Sequence, residues 1–288
     1  MLIQSFVNGL SLGSIYALVA LGYVLLWKSS EVLNFAQGDF MMLGAFLAFT
    51  AITMWGFPPW VAFLFAIVAM GFLGILLERV FMRPLLGEPI FAIAILTLGL
   101  SIMMRSLAGL IWGNFDLKFP SYLSEEPLNF LGIVISPINL MIIIITFIII
   151  VGLAILLKFS KIGIAMRAVG LNQLASLYLG VDVTRFLSLN WIIASILGCV
   201  AGILVGPFIF LSTNLGHIGL KAFPAAILGG FTSLPGAIVG GLIIGVTENM
   251  AAGYLPSGLK DVVPWLVLFI ILIIRPAGIF GIKEVKRV

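Results

Sequence analysis

The chain has 288 residues, of which 62% are hydrophobic and 9% charged, and its formal net charge is +4. Mean hydropathy is +1.28, whereas a soluble domain carries about 25% charged residues. An aqueous fold is therefore excluded, the bilayer is the solvent, and the basic excess reads as a topology signal rather than affinity for nucleic acid.

A helix crossing about 30 Å of hydrocarbon needs ~20 residues. Apolar segments of that order fall near 5–27, 39–56, 59–80, 90–112, 137–157, 186–211, 222–252 and 262–274. They predict an all-α, polytopic helical membrane protein of about eight spans, in one transmembrane domain over 1–288. Runs such as Ile142–Ile145 do not argue for strands, because lipid-exposed backbone must satisfy its own hydrogen bonds. The alternation that a transmembrane barrel requires is missing. The first segment follows no basic n-region and is long enough to span, so it reads as a retained helix rather than a secretory signal. The single cysteine, Cys199, excludes an intrachain disulfide and any cysteine-rich metal site; it reads as packing.

Between the first two segments runs SSEVLNFAQGDFMMLGAF, Ser29 to Phe46. Asn34, Gln37 and Asp39, with Glu31, crowd a stretch too short for a linker, and Gly38 and Gly44 can thin a helix. A discontinuous helix lining a polar path accounts for this, against an interfacial loop in which Lys28 pairs with Glu31. In the fourth segment stands Arg105. Placing a charge at mid-span costs on the order of 2.5–3.5 kcal/mol on insertion scales, so Arg105 needs a partner. Glu31, Asp39 and Glu248 are the candidates, and structural pairing and substrate contact are both open. Asn34, Gln37, Asp39 and Arg105 are the candidate translocation path.

The fifth and sixth segments flank a polar island, KFSKIGIAMRAVGLNQLASLYLGVDVTR, Lys158 to Arg185. Its centre, Asn172 to Leu179, fits two helical turns. Asn172 suits the N-cap and Gly180 the left-handed position past the end. A capped helix between spans can dock a partner; a plain basic loop that fixes topology is the alternative.

The 222–252 segment is too short for two straight spans and is split by TSLPG, Thr232 to Gly236. It predicts a pair of short helices, either a re-entrant hairpin or two tilted spans. Gly229, Gly230, Gly236, Gly240 and Gly241 permit close helix packing, and Gly236–Gly240 and Gly241–Gly245 are GxxxG pairs. His217, the only histidine, has no metal-ligand companion and reads as interfacial. Glu248 could pair with Lys260 outside the membrane.

With the N-terminus outside and the C-terminus inside, Lys28, Arg79, Arg83, Lys158, Lys161, Arg167, Arg185, Arg275, Lys283, Lys286 and Arg287 lie inside, against Lys118, Lys221 and Lys260 outside. That asymmetry is the one the positive-inside rule requires. No nucleophile–base arrangement, P-loop or dinucleotide fingerprint is present. The reading is therefore a non-enzyme with no catalytic residues, cofactor or metal, and any ATP-driven work needs an ATPase on another chain.

Five motifs in order then carry a family resemblance. They are Asn8–Gly9 through Gly22–Tyr23, Leu33–Gly38, the set Arg167–Ala168, Asn172, Ala175 and Gly180–Val181, the glycine-rich Gly219–Glu248, and RPAGIFG, Arg275 to Gly281. Together they resemble the permease subunits of high-affinity branched-chain amino-acid ABC transporters of the LivH type. The resemblance implies an ABC importer permease fold in the bacterial inner membrane. It implies four kinds of part: this permease, a second and commonly different permease, two cytoplasmic ATPase subunits, and a periplasmic substrate-binding protein. It implies import by alternating access, with Gly170 to Gly180 as the coupling helix and Arg167, Asn172, Ala175, Leu179 and Gly180 as coupling residues. Gln37 stands where the family often has histidine, Asp39 where it often has glutamate, and Leu171 and Gln173 where acids are common. Relatives of this type also serve urea, short amides and other amino acids. A secondary transporter or channel with re-entrant glycine-rich hairpins is the alternative from another class.

Overall fold

The computed structural model describes residues 2–120, 128–130, 133–256 and 258–281. Glu125, Glu126, Lys283, Lys286 and Arg287, some of which count toward the orientation, lie outside the described residues. In chain order the helices are α1 (Leu2–Ser30), α2 (Gln37–Thr53), α3 (Pro59–Leu77), α4 (Ile90–Trp112), α5 (Pro137–Phe159), α6 (Lys161–Leu171), α7 (Gln173–Tyr178), α8 (Val183–Val205), α9 (Leu215–Leu220), α10 (Ala222–Gly229), α11 (Leu234–Tyr254) and α12 (Val263–Ile274). A short antiparallel hairpin, β1 (Leu128–Phe130) with β2 (Ile133–Ile135), precedes α5.

Among the described residues, six helices are long and apolar enough to cross a membrane, and Gln37–Thr53, Leu215–Gly229 and Val263–Ile274 are shorter apolar helices. The protein is thus all-α and polytopic, and the glycine-rich segment resolves into unequal parts. The short α9 and α10 descend to a turn at Gly230–Ser233, and the full-length α11 returns. Only Thr232 and Ser233 of the TSLPG signal lie in the turn. Ser233 caps α11 by accepting from the Gly236 N–H, and Pro235 sits in its first turn, where a missing N–H costs nothing. Gly230 holds a φ of 98°, a conformation that glycine adopts without steric cost. The RPAGIFG tail closes over this turn: the Ile279 and Phe280 N–H groups donate to the carbonyls of Leu228 and Gly229.

The helices divide by depth in the bundle. Over its most apolar stretch α1 is 89% buried and α8 67%, against 17% for α5. The first two form the centre, and α3, α4, α5 and α12 present Leu64, Phe91, Phe147 and Ile273 outward, as lipid-facing helices do. The centre is closely packed because small residues let backbones meet. Gly241 and Gly245 lie against Ala17 and Gly13 of α1, while Gly236 and Gly240 lie against Gly229 and Ala225 of α10. The two GxxxG pairs thus serve two different neighbours of α11.

Candidate functional site

Of the polar groups that interrupt this apolar bundle among the described residues, three contain the residues singled out in the sequence. The first is built where α1 ends. Glu31 takes a φ of 54°, and residues 31–36 run back along the bundle without helix. The first residue of α2, Gln37, lies against Gly22, about two turns before the end of α1. At 1.5 Å per residue, α2 therefore starts about 12 Å below the end of α1. Irregular backbone at such depth must be satisfied by protein, and it is. The Asn34 Oδ1 accepts from the Ala36 N–H at 3.2 Å. From α4, the Thr97 hydroxyl accepts from the Phe35 N–H at 3.2 Å and lies 3.0 Å from the Leu33 carbonyl. Gln37 Nε2 donates to the Ala194 carbonyl of α8 at 2.9 Å. Asn34, Gln37 and Asp39 are all buried.

Asp39 stands in the first turn of α2, where the helix dipole favours an anion. The Arg105 Nε donates to its Oδ1 at 2.7 Å. Of the three candidate partners, Asp39 is the one that holds Arg105. The Arg105 Nη1 also lies 2.7 Å from the His217 Nε2. His217 is on α9, whose Gly216 and Gly219 press against Gly38. Arg105 is only partly covered, at 21% exposure. It opens on a cleft of about 510 Å³ shared with Ser106, Asn114, Thr213 and Asn214. His217, itself exposed, joins this cluster through Arg105.

The second group lies on the other side of α9. Glu248 of α11 is 5% exposed. The Tyr16 hydroxyl donates to its Oε2 at 2.7 Å and the Lys221 ammonium to its Oε1 at 2.7 Å. Lys221 also donates to Asp261 Oδ1 at 2.6 Å. Glu248 thus pairs with Lys221 rather than with Lys260, because Lys221, in the join between α9 and α10, reaches inward. Both lysines line a cavity of about 360 Å³ beside α1. Sequence reasoning missed Tyr16, Lys221 and Thr97; no spacing pattern links them to their partners.

The third group is the polar island, at the end of the bundle where α1 finishes. It folds as three caps in succession. Ser160 Oγ accepts from the Gly163 N–H, Asn172 Oδ1 from the Ala175 N–H at 2.9 Å, and Asp182 Oδ1 from the Arg185 N–H at 3.1 Å. Gly180, with a φ of 79°, turns the chain out of α7. The Thr184 hydroxyl and then the Arg185 N–H hold the Asp182 carboxyl below its ordinary range. The Gln173 side chain donates to the Ser29 carbonyl at 2.9 Å, and Gly170 packs on the Lys28 carbonyl. Arg167 reaches back toward the Lys158 carbonyl. Leu171, Leu174, Leu177, Tyr178 and Leu179 are all exposed. A groove of about 610 Å³ runs between α6–α7, the end of α1 and Thr232.

Residues 5–272 match the family described as branched-chain amino acid transport system / permease component. The chain is 34% identical to the high-affinity branched-chain amino acid transport system permease protein LivH of Salmonella typhimurium, covering 99% of this chain and 97% of the relative. It is 35% identical to BraD of Pseudomonas aeruginosa, a protein of the same description, over 99% and 98%. It is also 30% identical to the nucleoside ABC transporter permease protein NupB of Lactococcus lactis, over 55% of this chain and 43% of that one. Among solved structures, PsaBC from Streptococcus pneumoniae in complex with Fab aligns over 96% of this chain and 93% of its own, with a TM-score of 0.52 at 12% identity; this likeness speaks to the fold alone. The chain, with its irregular stretch between α1 and α2 and its glycine-packed bundle, belongs to the branched-chain amino acid transport permease family.

Proposed function

We propose that this chain is the membrane-spanning permease of an ATP-driven importer that moves a branched-chain amino acid, or a related small polar solute, into the bacterial cytoplasm by alternating access. A second permease, a different chain, completes the pathway. Two ATPase subunits dock on the cytoplasmic end, and a periplasmic binding protein delivers the solute to the opposite end. The N-terminus is outside and the C-terminus inside, in the inner membrane.

The observation that carries this reading is α7. Leu174, Leu177, Tyr178 and Leu179 are from 58% to 87% exposed on an element that lies outside the candidate spans. An apolar patch on a capped helix outside the candidate spans suits a docking surface. Asn172 and Gly180 fix the ends of that helix. Gly170 and Gln173 tie its approach to the end of α1, so force on α7 reaches the central helix of the bundle. Energetic coupling needs such an element, biased by both the motor and the pathway. Asn34, Gln37, Asp39 and Arg105 form the pathway's polar core, where α2 begins inside the bundle.

The test is to co-purify the chain with its ATPase partners and replace Asn172–Leu179 by a Gly/Ser linker of equal length. Loss of ATP-dependent uptake with the bundle still folded is expected. Intact assembly and unchanged uptake would remove the docking role.

A further inference from the structure

The 360 Å³ cavity at the end of the bundle opposite α6 and α7 has a composition that packing does not require. It is walled by the N-terminal half of α1, the start of α5, the end of α8 and the C-terminal half of α11, with α9 across it. Its polar lining is Asn8, Asn139, Glu248 and Asn249, with Lys221 and Lys260. Aliphatic side chains, Leu12, Ile142 and Ile218 among them, line it beside these polar groups. From its charges, its spare hydrogen-bonding capacity and its volume, we infer that this cavity is a binding site for a small zwitterion with an aliphatic body, an α-amino acid with a branched side chain. The inference rests on the proposed transport function and gives it a place in the chain.

Three features argue for that ligand class. Lys221, Lys260 and Glu248 line the cavity and Asp261 pairs with Lys221 beside it, so two positive and two negative charges stand in and next to it. A site with balanced charge suits a solute that carries one of each and no net charge. Spare capacity also remains. A carboxylate offers about four lone-pair sites and an ammonium three donors. Glu248 uses one on each oxygen, for Tyr16 and Lys221, and Lys221 uses two donors. Glu248 can therefore accept from a ligand ammonium while Lys221 and Lys260 donate to its carboxylate. Finally, ligand sites of small molecules run from about 300 to 1,000 Å³ and are mostly apolar with a few placed polar groups. A cavity of about 360 Å³ lies near the lower end of that range and has room for an amino acid of leucine size.

The experiment uses the full chain in lipid nanodiscs and does not need the partner subunits. Cys199 is buried, so a cysteine placed by Ile218→Cys is the reactive thiol, and its rate of labelling by a small methanethiosulfonate reports occupancy. L-Leucine is expected to slow labelling at a concentration where 3-methylbutylamine, which lacks the carboxylate, and 4-methylpentanoate, which lacks the ammonium, do not. In the Ile218→Cys background, Glu248→Gln and, separately, Lys260→Met should each weaken protection by leucine about tenfold, the loss of one charge-assisted contact. Lys260 is exposed, so its variant keeps the test sound if Glu248→Gln fails to fold. Equal protection by all three compounds, none by leucine, or protection by leucine unchanged in the folded variants overturns the site. ATP-driven leucine uptake by the full complex without protection removes the site alone; protection without ATP-driven uptake removes the transport reading alone.

Discussion

Arg105 Nε sits 2.7 Å from Asp39 Oδ1, and the carboxylate end of this pair is fully buried. Removing one partner of a buried pair leaves an uncompensated charge and costs about 3–5 kcal/mol, whereas removing both charges is far milder. Arg105→Leu is therefore expected to destabilise strongly. Asp39→Asn should cost less, because it deletes the buried charge itself. The double variant should lie close to Asp39→Asn, with a coupling of at least about 1 kcal/mol. Unfolding of nanodisc-held protein followed by tryptophan fluorescence measures all three, and strictly additive effects would contradict the pairing.

The α1–α11 contact gives a prediction with a built-in control. A Cβ at Gly241 meets Ala17 backbone at 2.6 Å, and one at Gly245 meets the Gly13 backbone. Neither backbone can swing aside. Gly241→Leu or Gly245→Leu should separate the helices at a cost of at least about 1–3 kcal/mol. At Gly152 on α5 an added Cβ would meet no atom within 4 Å, and Gly152→Ala should be neutral or slightly stabilising through helix propensity. Thermal denaturation of the three variants side by side decides it; equal midpoints would mean that the close approach carries no weight.

What could be read from the sequence divides along a physical line. Local signals were legible. The cap at Asn172 and the left-handed Gly180 need only neighbours in the chain, and each forms where backbone groups require it. Helix lengths follow from apolar runs, so the spans were legible too, though the 222–252 segment hides an unequal pair that begins at Leu215. Partners far apart in the chain were not. Glu248 stands equally near several cations on paper, and only the join between α9 and α10 turns Lys221 toward it. His217 likewise has no sequence neighbour that points to Arg105, 112 residues away. Burial demands a counter-charge for Arg105, but burial alone does not say which of three carboxylates supplies it.

Asp182 gives a pH dependence with a defined sign. Its carboxyl titrates below the ordinary carboxylate value of about 3.9, because the Thr184 hydroxyl and the Arg185 N–H bond its charged form at the start of α8. A folded-state value below the unfolded one means that the stabilisation is present above pH ~4 and fades as the pH falls through the folded value. The group is exposed, so the change should be local. Amide hydrogen exchange in the first turn of α8 is expected to rise on acidification below pH ~4 in wild type, relative to a reference turn corrected for intrinsic rates. In Asp182→Asn, which keeps a capping oxygen but no charge, that acid-dependent step should be absent. The same step in both proteins would assign it elsewhere.

Asn172 separates folding from coupling. Its backbone N–H donates to the Ala168 carbonyl as α6 ends, and its side chain starts α7, accepting from the Ala175 N–H. Asn172→Ala removes that acceptor, at about 1 kcal/mol for a cap, from a helix of 6 residues too short to persist by propensity. The central bundle of α1, α8 and α11 loses no contact. The variant should keep the wild-type unfolding midpoint within a degree or two while the amides of α7 lose protection from exchange. In the assembled transporter, ATP hydrolysis should continue with uptake reduced several-fold, since the motor would then push on an element that no longer holds its shape. Asn172→Asp, which preserves the cap, should restore both the protection and the uptake. Uptake that stays at the wild-type level while α7 frays would show that force passes into the bundle by another contact, and the close approach of Gly170 in α6 to the Lys28 carbonyl would be the next to test.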